Sequence, residues 1–164
     1  PPRSTLERAS AASDVYKRQW LSLLIGAGVE PRSLLLVGFS ASFAAKLADT
    51  FGSEIGKRWG RRPVLITTLR SVPPGTEGAI SLAGTLASAA GSVLMTLVMW
   101  QLQLLPSISV SLVVMLIGLL ATLAESLLGA LAQDRFRWLS NELVNALQTL
   151  LAAVMAMLWL GGRI

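Results

Sequence analysis

Lys46 and Asp49 stand three residues apart, Glu54 follows, and the next segment reads Gly56-Lys57-Arg58-Trp59-Gly60-Arg61-Arg62-Pro63. On a helix, Ser42, Lys46, Asp49, Thr50, Ser53 and Lys57 fall within about a third of the circumference. Beyond the cations come Leu65-Ile66-Thr67-Thr68 and Pro74-Gly75-Thr76-Glu77-Gly78. Glycines let backbone amides approach a ligand, and cations with hydroxyls suit phosphate oxygens. The Gly75–Gly78 turn falls where the next apolar segment begins, and a helix N-terminus there would favour an anion. The pattern points to a phosphate-bearing ligand. The plainer alternatives are a basic anchor with turn glycines and a Lys46–Asp49 pair that only locks helices together. No G-x-x-x-x-G-K-[ST] sequence occurs, so this is not a P-loop.

Other chemistry-bearing residues are sparse. Glu125 is the sole charge in its apolar segment and shares a helical face with Gly118, Thr122 and Gly129. Asn141, Glu142, Asn145, Gln148 and Thr149 open the last segment. Ser81, Gly84, Thr85, Ser88, Gly91 and Ser92 form a small-residue stripe, read as close helix packing; together with the stripes of the other spans, all concentrated toward the cytoplasmic end, it would build a polar pocket if the four faced inward. With no Cys and no His, thiolate chemistry, His-ligated zinc and a Ser-His-Asp triad are excluded. Carboxylates, hydroxyls, amides and cations must do the work.

The elements that carry these residues are apolar. Of 164 residues 53% are hydrophobic and only 14% charged, and mean hydropathy is +0.62. The 47 residues from Gly78 to Ala124 hold no formal charge, nor do the 20 from Leu143 to Gly162. Such runs read as membrane spans and exclude an ordinary soluble enzyme. The expected fold is all-α, a polytopic transmembrane bundle with spans at about 33–55, 78–105, 108–132 and 143–160, plus a truncated helix at 20–28. Pro106 marks a tight hairpin apex. Basic residues occupy the loops at 57–77 and 133–142, the latter through Arg135 and Arg137, whereas the apex at Pro106 has none. The positive-inside rule places both basic loops in the cytoplasm. The net charge of +5 is therefore juxtamembrane, facing the lipid bilayer, and nucleic acid is not an expected partner. Residues 1–19 are polar and aperiodic, and Ser13 to Gln19 resembles a translated adapter remnant. They are expected to be an assembly artefact or a disordered tail, with 20–164 a partial membrane domain carrying a net charge of +3.

Five blocks together carry a resemblance: Ala48 to Gly56, Leu65 to Thr68, Gly75 to Thr85, Glu125 to Ala130 and Asn141 to Asn145. In this order they resemble the integral-membrane domain-of-unknown-function family ninety-two, which includes plant phytyl-phosphate kinase of the tocopherol pathway and animal transmembrane protein nineteen. The layout is also similar, more distantly, to CDP-diacylglycerol synthases and dolichol kinases, which use CTP and a divalent cation on a lipid substrate. The resemblance implies a membrane phosphotransferase that moves a phosphate from a CTP-like nucleotide to an isoprenoid phosphate at the cytoplasmic interface. It implies Asp49 and Glu125 as Mg²⁺ ligands and Glu54 and Glu77 as further carboxylates. Lys57, Arg58, Arg61 and Arg62 would lie near the nucleotide phosphates, with Thr67, Thr68, Gly75, Thr76 and Gly78 completing the cradle. Lys46, Ser53, Asn141, Glu142 and Asn145 would line the pocket. Thr67-Thr68-Leu69-Arg70 stands where the synthases have a lysine-rich segment, which weakens a nucleotidyl-transfer reading. Two rival readings are a transporter or channel and a non-catalytic membrane scaffold. Val93 to Trp100, apolar or small apart from Thr96, argues against a polar path across the whole bilayer.

Overall fold

The computed structural model describes residues 31–133 and 141–163. The artefact or tail at 1–19, the helix remnant at 20–28 and the cations Arg135 and Arg137 lie outside them. Among the described residues there are four long helices: α1 (Pro31–Trp59), α2 (Leu82–Gln101), α3 (Ile108–Leu128) and α4 (Asn141–Gly161). Segments Arg32–Trp59, Leu82–Gln101, Ile108–Leu131 and Glu142–Gly161 are each long and apolar enough to cross a membrane. At 1.5 Å per residue, the 20 residues of α2 reach about 30 Å, the thickness of a bilayer core. The 29 residues of α1 reach about 43 Å, so its last turns, with Lys57 and Arg58, extend past the hydrocarbon.

The second span is shorter than the sequence indicates, and this corrects the expectation for 78–105. Ser81 is the N-cap of α2, its Oγ accepting from the Gly84 N–H at 3.1 Å. Gly78 and its neighbours belong to a structured loop instead. Two short strands, β1 (Val64–Leu65) and β2 (Ala79–Ile80), pair antiparallel with Val64 opposite Ile80. The Leu65 N–H donates to the Arg70 carbonyl (2.9 Å) and the Val72 N–H to that of Pro63 (3.0 Å), closing the segment on itself. Strands this short are stable only through what they pack against. The Gly75–Gly78 turn therefore precedes a strand, and the anion-favouring helix N-terminus lies at Ser81.

Pro106 sits between α2 and α3, as its backbone chemistry requires, and Ser107 caps α3 through the Val110 N–H at 3.3 Å. After Leu128 the chain continues as a π-helical turn, Gly129–Gln133.

Burial runs opposite to that of a soluble bundle. The most buried positions are small: Ala41, Ala44, Ala45 and Ala48 of α1, Ala121 of α3, and Ala152 and Ala156 of α4 are all 0% exposed. Large apolar side chains point outward, among them Leu86, Leu97, Leu116 and Leu150. Lipid is as apolar as leucine, so helix association depends on close backbone approach rather than on hiding large side chains. A Cβ on Gly84 would lie 3.0 Å from the Gly52 carbonyl oxygen, and one on Gly118 3.0 Å from the Ala44 Cβ. The stripe on α2 thus packs closely, as its spacing indicates. α1 touches all three other helices and α2 most extensively. Deeper in the bundle, Gln148 Nε2 donates to Thr122 Oγ1 (3.0 Å) and to the Ala45 carbonyl (3.3 Å), joining three helices.

Candidate functional site

The C-terminal half of α1, the start of α2, the end of α3 and the start of α4 meet at one end of the bundle, where the 60–81 loop covers them. There they enclose a cleft of about 410 Å³. Its walls follow from helix periodicity. The α1 stripe recurs every three or four residues, so Lys46, Asp49, Ser53 and Lys57 all face the cleft. Glu54 lines its edge, exposed. From the loop come Gly75, Thr76, Glu77 and Gly78; from α3, Glu125; from α4, Asn145. Residues separated by up to 99 positions in the chain thus share one polar chamber.

Lys46 organises the floor. Its Nζ donates to Asp49 Oδ2 at 3.1 Å and to Asn145 Oδ1 at 2.8 Å, tying α1 to α4. The ion pair named as an alternative exists, and it stands inside the cleft. Glu125 is half-buried and within electrostatic reach of Asp49, Glu77 and Lys46. Two acids from different helices and a third from the loop therefore act on the same space, with cations at both its depth and its rim.

Not every residue named from sequence lines this cleft. Arg58, Arg61, Arg62, Thr67, Thr68 and Glu142 lie outside its wall. Arg58 is one residue, about 100°, beyond the Lys57 stripe, and its guanidinium lies 5.6 Å from the Trp59 ring centroid. Arg61 and Arg62 are exposed. Thr68 Oγ1 accepts from the Arg70 N–H at 3.5 Å, within the loop's own turn. Asn141 starts α4, and its side chain is outside the description. The cradle expected from four cations thus has Lys57 in its wall, while Arg58, Arg61 and Arg62 are exposed and do not line it.

The α2 stripe, read mainly as packing, also supplies part of the wall, as expected if the stripes of the spans face inward together. Ser81, Gly84, Thr85 and Ser88 face the cleft, although their spacing reads as packing. Gly84 and Ser88 do both: each abuts Gly52 while bordering the chamber. The available signal was that this stripe directly continues the Thr76-Glu77-Gly78 segment. Ser126, beside Glu125, also lines the cleft.

Gly78 seats the loop on α3. Its φ is +71°, and a Cβ there would lie 2.6 Å from both the Ala130 nitrogen and the Ser126 carbonyl oxygen. Both atoms are backbone, held by the end of α3 and its π-helical turn, so neither can rotate away. Gly78→Ala is expected to cost about 3 kcal/mol locally. Protease cleavage within 60–81 should then rise about a hundredfold while the four helices stay intact; unchanged cleavage would show that the loop is seated by other contacts.

Apolar spans around small-residue helix contacts, with a polar, acid-bearing chamber at the basic end, define a multi-pass integral membrane protein. The model of the integral membrane protein family DUF92 matches residues 9–153, a match that begins within the first 19 residues. The chain belongs to that family. It is 43% identical over 136 residues to an uncharacterized membrane protein, sll0875, of Synechocystis, covering 82% of this chain and 52% of that protein. It is 40% identical over 160 residues to the chloroplastic protein VTE6 of Arabidopsis thaliana, covering 96% and 46% respectively. An uncharacterized membrane protein of Methanocaldococcus jannaschii, MJ0933, is 39% identical over 123 residues, covering 75% and 50%. The chain spans about half the length of these relatives. No solved structure matches it.

Proposed function

We propose that this chain carries the phosphate-handling half of a membrane phosphotransferase resembling phytyl-phosphate kinase, which moves the terminal phosphate of a CTP-like nucleotide to an isoprenoid monophosphate. The observation that carries this reading is the shared cleft: Asp49, Glu125 and the glycine-bearing 74–78 segment line one chamber with Lys46 and Lys57. In this reading the basic end of the bundle faces the cytoplasm.

The reaction suits the residues present. An oxygen of the acceptor phosphate attacks the terminal phosphorus of the nucleotide. The bond from that phosphorus to the nucleoside diphosphate oxygen breaks, leaving a prenyl diphosphate and a nucleoside diphosphate. A phosphate monoester, with a second pKa near 6, is largely dianionic at neutral pH, so its attack requires no general base. A chain without His or Cys can therefore support it through positioning and charge stabilisation. Lys46 and Lys57 bind and orient phosphate oxygens, and the loop backbone at Gly75, where a Cβ would meet nothing within 4 Å, allows close approach.

The donor set also suits Mg²⁺. The side chains in the cleft wall that could ligate a metal are oxygen donors, and Asp49 and Glu125 would hold the ion. Among the described residues no group of three or more His, Cys, Asp or Glu converges. That fits Mg²⁺, which is commonly held by one or two carboxylates together with substrate phosphates. Bound there, it would supply neutralisation of phosphate charge. A transport pathway is disfavoured within this chain, because beyond the cleft the helices close on one another through the Gln148–Thr122 bond and alanines that are fully buried.

The test uses the full-length protein in membrane vesicles, with terminally labelled CTP or ATP and geranylgeranyl monophosphate. Label should appear in the prenyl diphosphate, with CTP preferred. No transfer from any nucleotide overturns the reading.

A further inference from the structure

A second cavity, of about 440 Å³, lies between α1 and α4, bounded by Ser42, Phe43, Lys46, Thr149, Leu150 and Ala153. Its chemistry differs from that of the cleft. The two hydroxyls in its wall are turned back on their own helices: Ser42 Oγ donates to the Phe39 carbonyl (2.7 Å) and Thr149 Oγ1 to that of Ala146 (2.9 Å). What remains is methyl, methylene and ring surface. Phe43 and Leu150 are 45% and 59% exposed on the face that meets lipid. At one end of this apolar groove stands Lys46, which also lines the polar cleft. Lys46 is the residue the two spaces share, and its bond to Asn145 lies on the cleft side.

A cleft that carries the charged groups and an apolar groove, meeting at one ammonium group, match a ligand with an anionic head and a long hydrocarbon tail. We infer that the α1–α4 groove seats the isoprenoid tail of the acceptor, and that Lys46 receives its phosphate from the bilayer side and holds it at the border of the cleft. The inference rests on the phosphotransferase reading for the acceptor's identity, and on the groove itself for where that acceptor enters. The tail reaches the site laterally through the membrane and never crosses the polar loop. Lys46 is thereby a binding residue for the acceptor, exchanging its bond to Asn145 for one to phosphate, while Asp49 holds the ammonium in place.

The probe is a geranylgeranyl monophosphate with a diazirine in its tail, presented to the full-length protein in vesicles, alongside the tail-matched alcohol. Labelling at Phe43, Leu150 or Ala153 by the phosphate in clear excess over the alcohol is expected. Ala153→Phe, which fills the groove, should reduce that labelling. It should also lower the ratio of kcat/KM for the twenty-carbon phosphate to that for a five-carbon phosphate about tenfold or more. A Lys46→Gln variant should bring phosphate labelling down to the level of the alcohol, and Lys46→Arg should restore it in part. Equal labelling by phosphate and alcohol in the unmodified protein means bulk lipid in the groove and overturns the inference. Labelling confined to other helices, in a protein that phosphorylates the prenyl phosphate, overturns the groove while sparing the enzymatic reading. Groove labelling without phosphate transfer keeps the lipid-phosphate site and removes the kinase.

Discussion

Asp49→Asn is expected to reduce phosphate transfer by about 10²–10³-fold without changing the amount of protein in the membrane. The substitution keeps the volume of the side chain and leaves an oxygen for Lys46, whose Nζ lies 3.1 Å from Asp49 Oδ2. It removes the negative charge. Two consequences follow from that loss. A hard cation would face Glu125 with no second full carboxylate from α1, and the Lys46 ammonium would lose its counter-ion. Both act on the same charged substrate, so kcat should fall further than KM rises. Single-turnover measurements with labelled nucleotide separate the two, and equal immunoblot levels control for insertion. Turnover at the level of the unmodified protein would remove Asp49 from the metal role.

Gly91→Val is expected to separate α1 from α2 and to destabilise the bundle by about 3 kcal/mol or more. A Cβ on Gly91 would lie 2.7 Å from the Leu47 carbonyl oxygen and 3.2 Å from the Ala48 Cα. These are backbone atoms of a continuous helix, so the added carbons can be accommodated only by moving α1 as a body. The displaced residues immediately precede Asp49, which makes loss of activity part of the same effect. Thermal unfolding in detergent, followed by protease resistance, measures it. Leu94→Val on the same helix, at a side chain 47% exposed to lipid, should change stability by less than about 0.5 kcal/mol. Similar midpoints for the two variants would mean that the α1–α2 contact is not the one holding the bundle together.

Much of the architecture was readable because membrane insertion is written in one dimension. Uncharged runs long enough to cross a bilayer can be counted, and Pro106 breaks the ladder wherever it stands. The α1 stripe was readable for a similar reason: a straight helix converts spacing into direction, so Lys46, Asp49, Ser53 and Lys57 could be assigned a common face. The cleft confirms that face. The small-residue stripe of α2 was assigned to packing, and Gly84 and Gly91 do pack against α1. Its second task, lining the chamber with Ser81 and Thr85, was readable only from the four stripes taken together, since a small residue looks the same whether a backbone or a ligand approaches it.

The loop gave less away. Its composition of glycine, cation and hydroxyl marked it as a candidate for phosphate, but composition carries no direction. The strand pairing of Val64–Leu65 with Ala79–Ile80 rests on two-residue segments too short to show a period. That pairing brings Gly75 to Gly78 into the cleft wall while leaving Thr67, Thr68 and the arginines exposed and outside it.

The linear order of residues was enough to establish a multi-pass helical membrane protein and the polar face of each helix, because hydrophobic length and helical period are local quantities. Which faces meet was decided in three dimensions. Asp49 and Glu125 share a chamber, Lys46 reaches across to Asn145, and an apolar groove opens on the far side of the same ammonium group. Those outcomes depend on the rotation of each helix about its own axis, which is set by the glycine and alanine contacts between helices, and no helix carries that information alone.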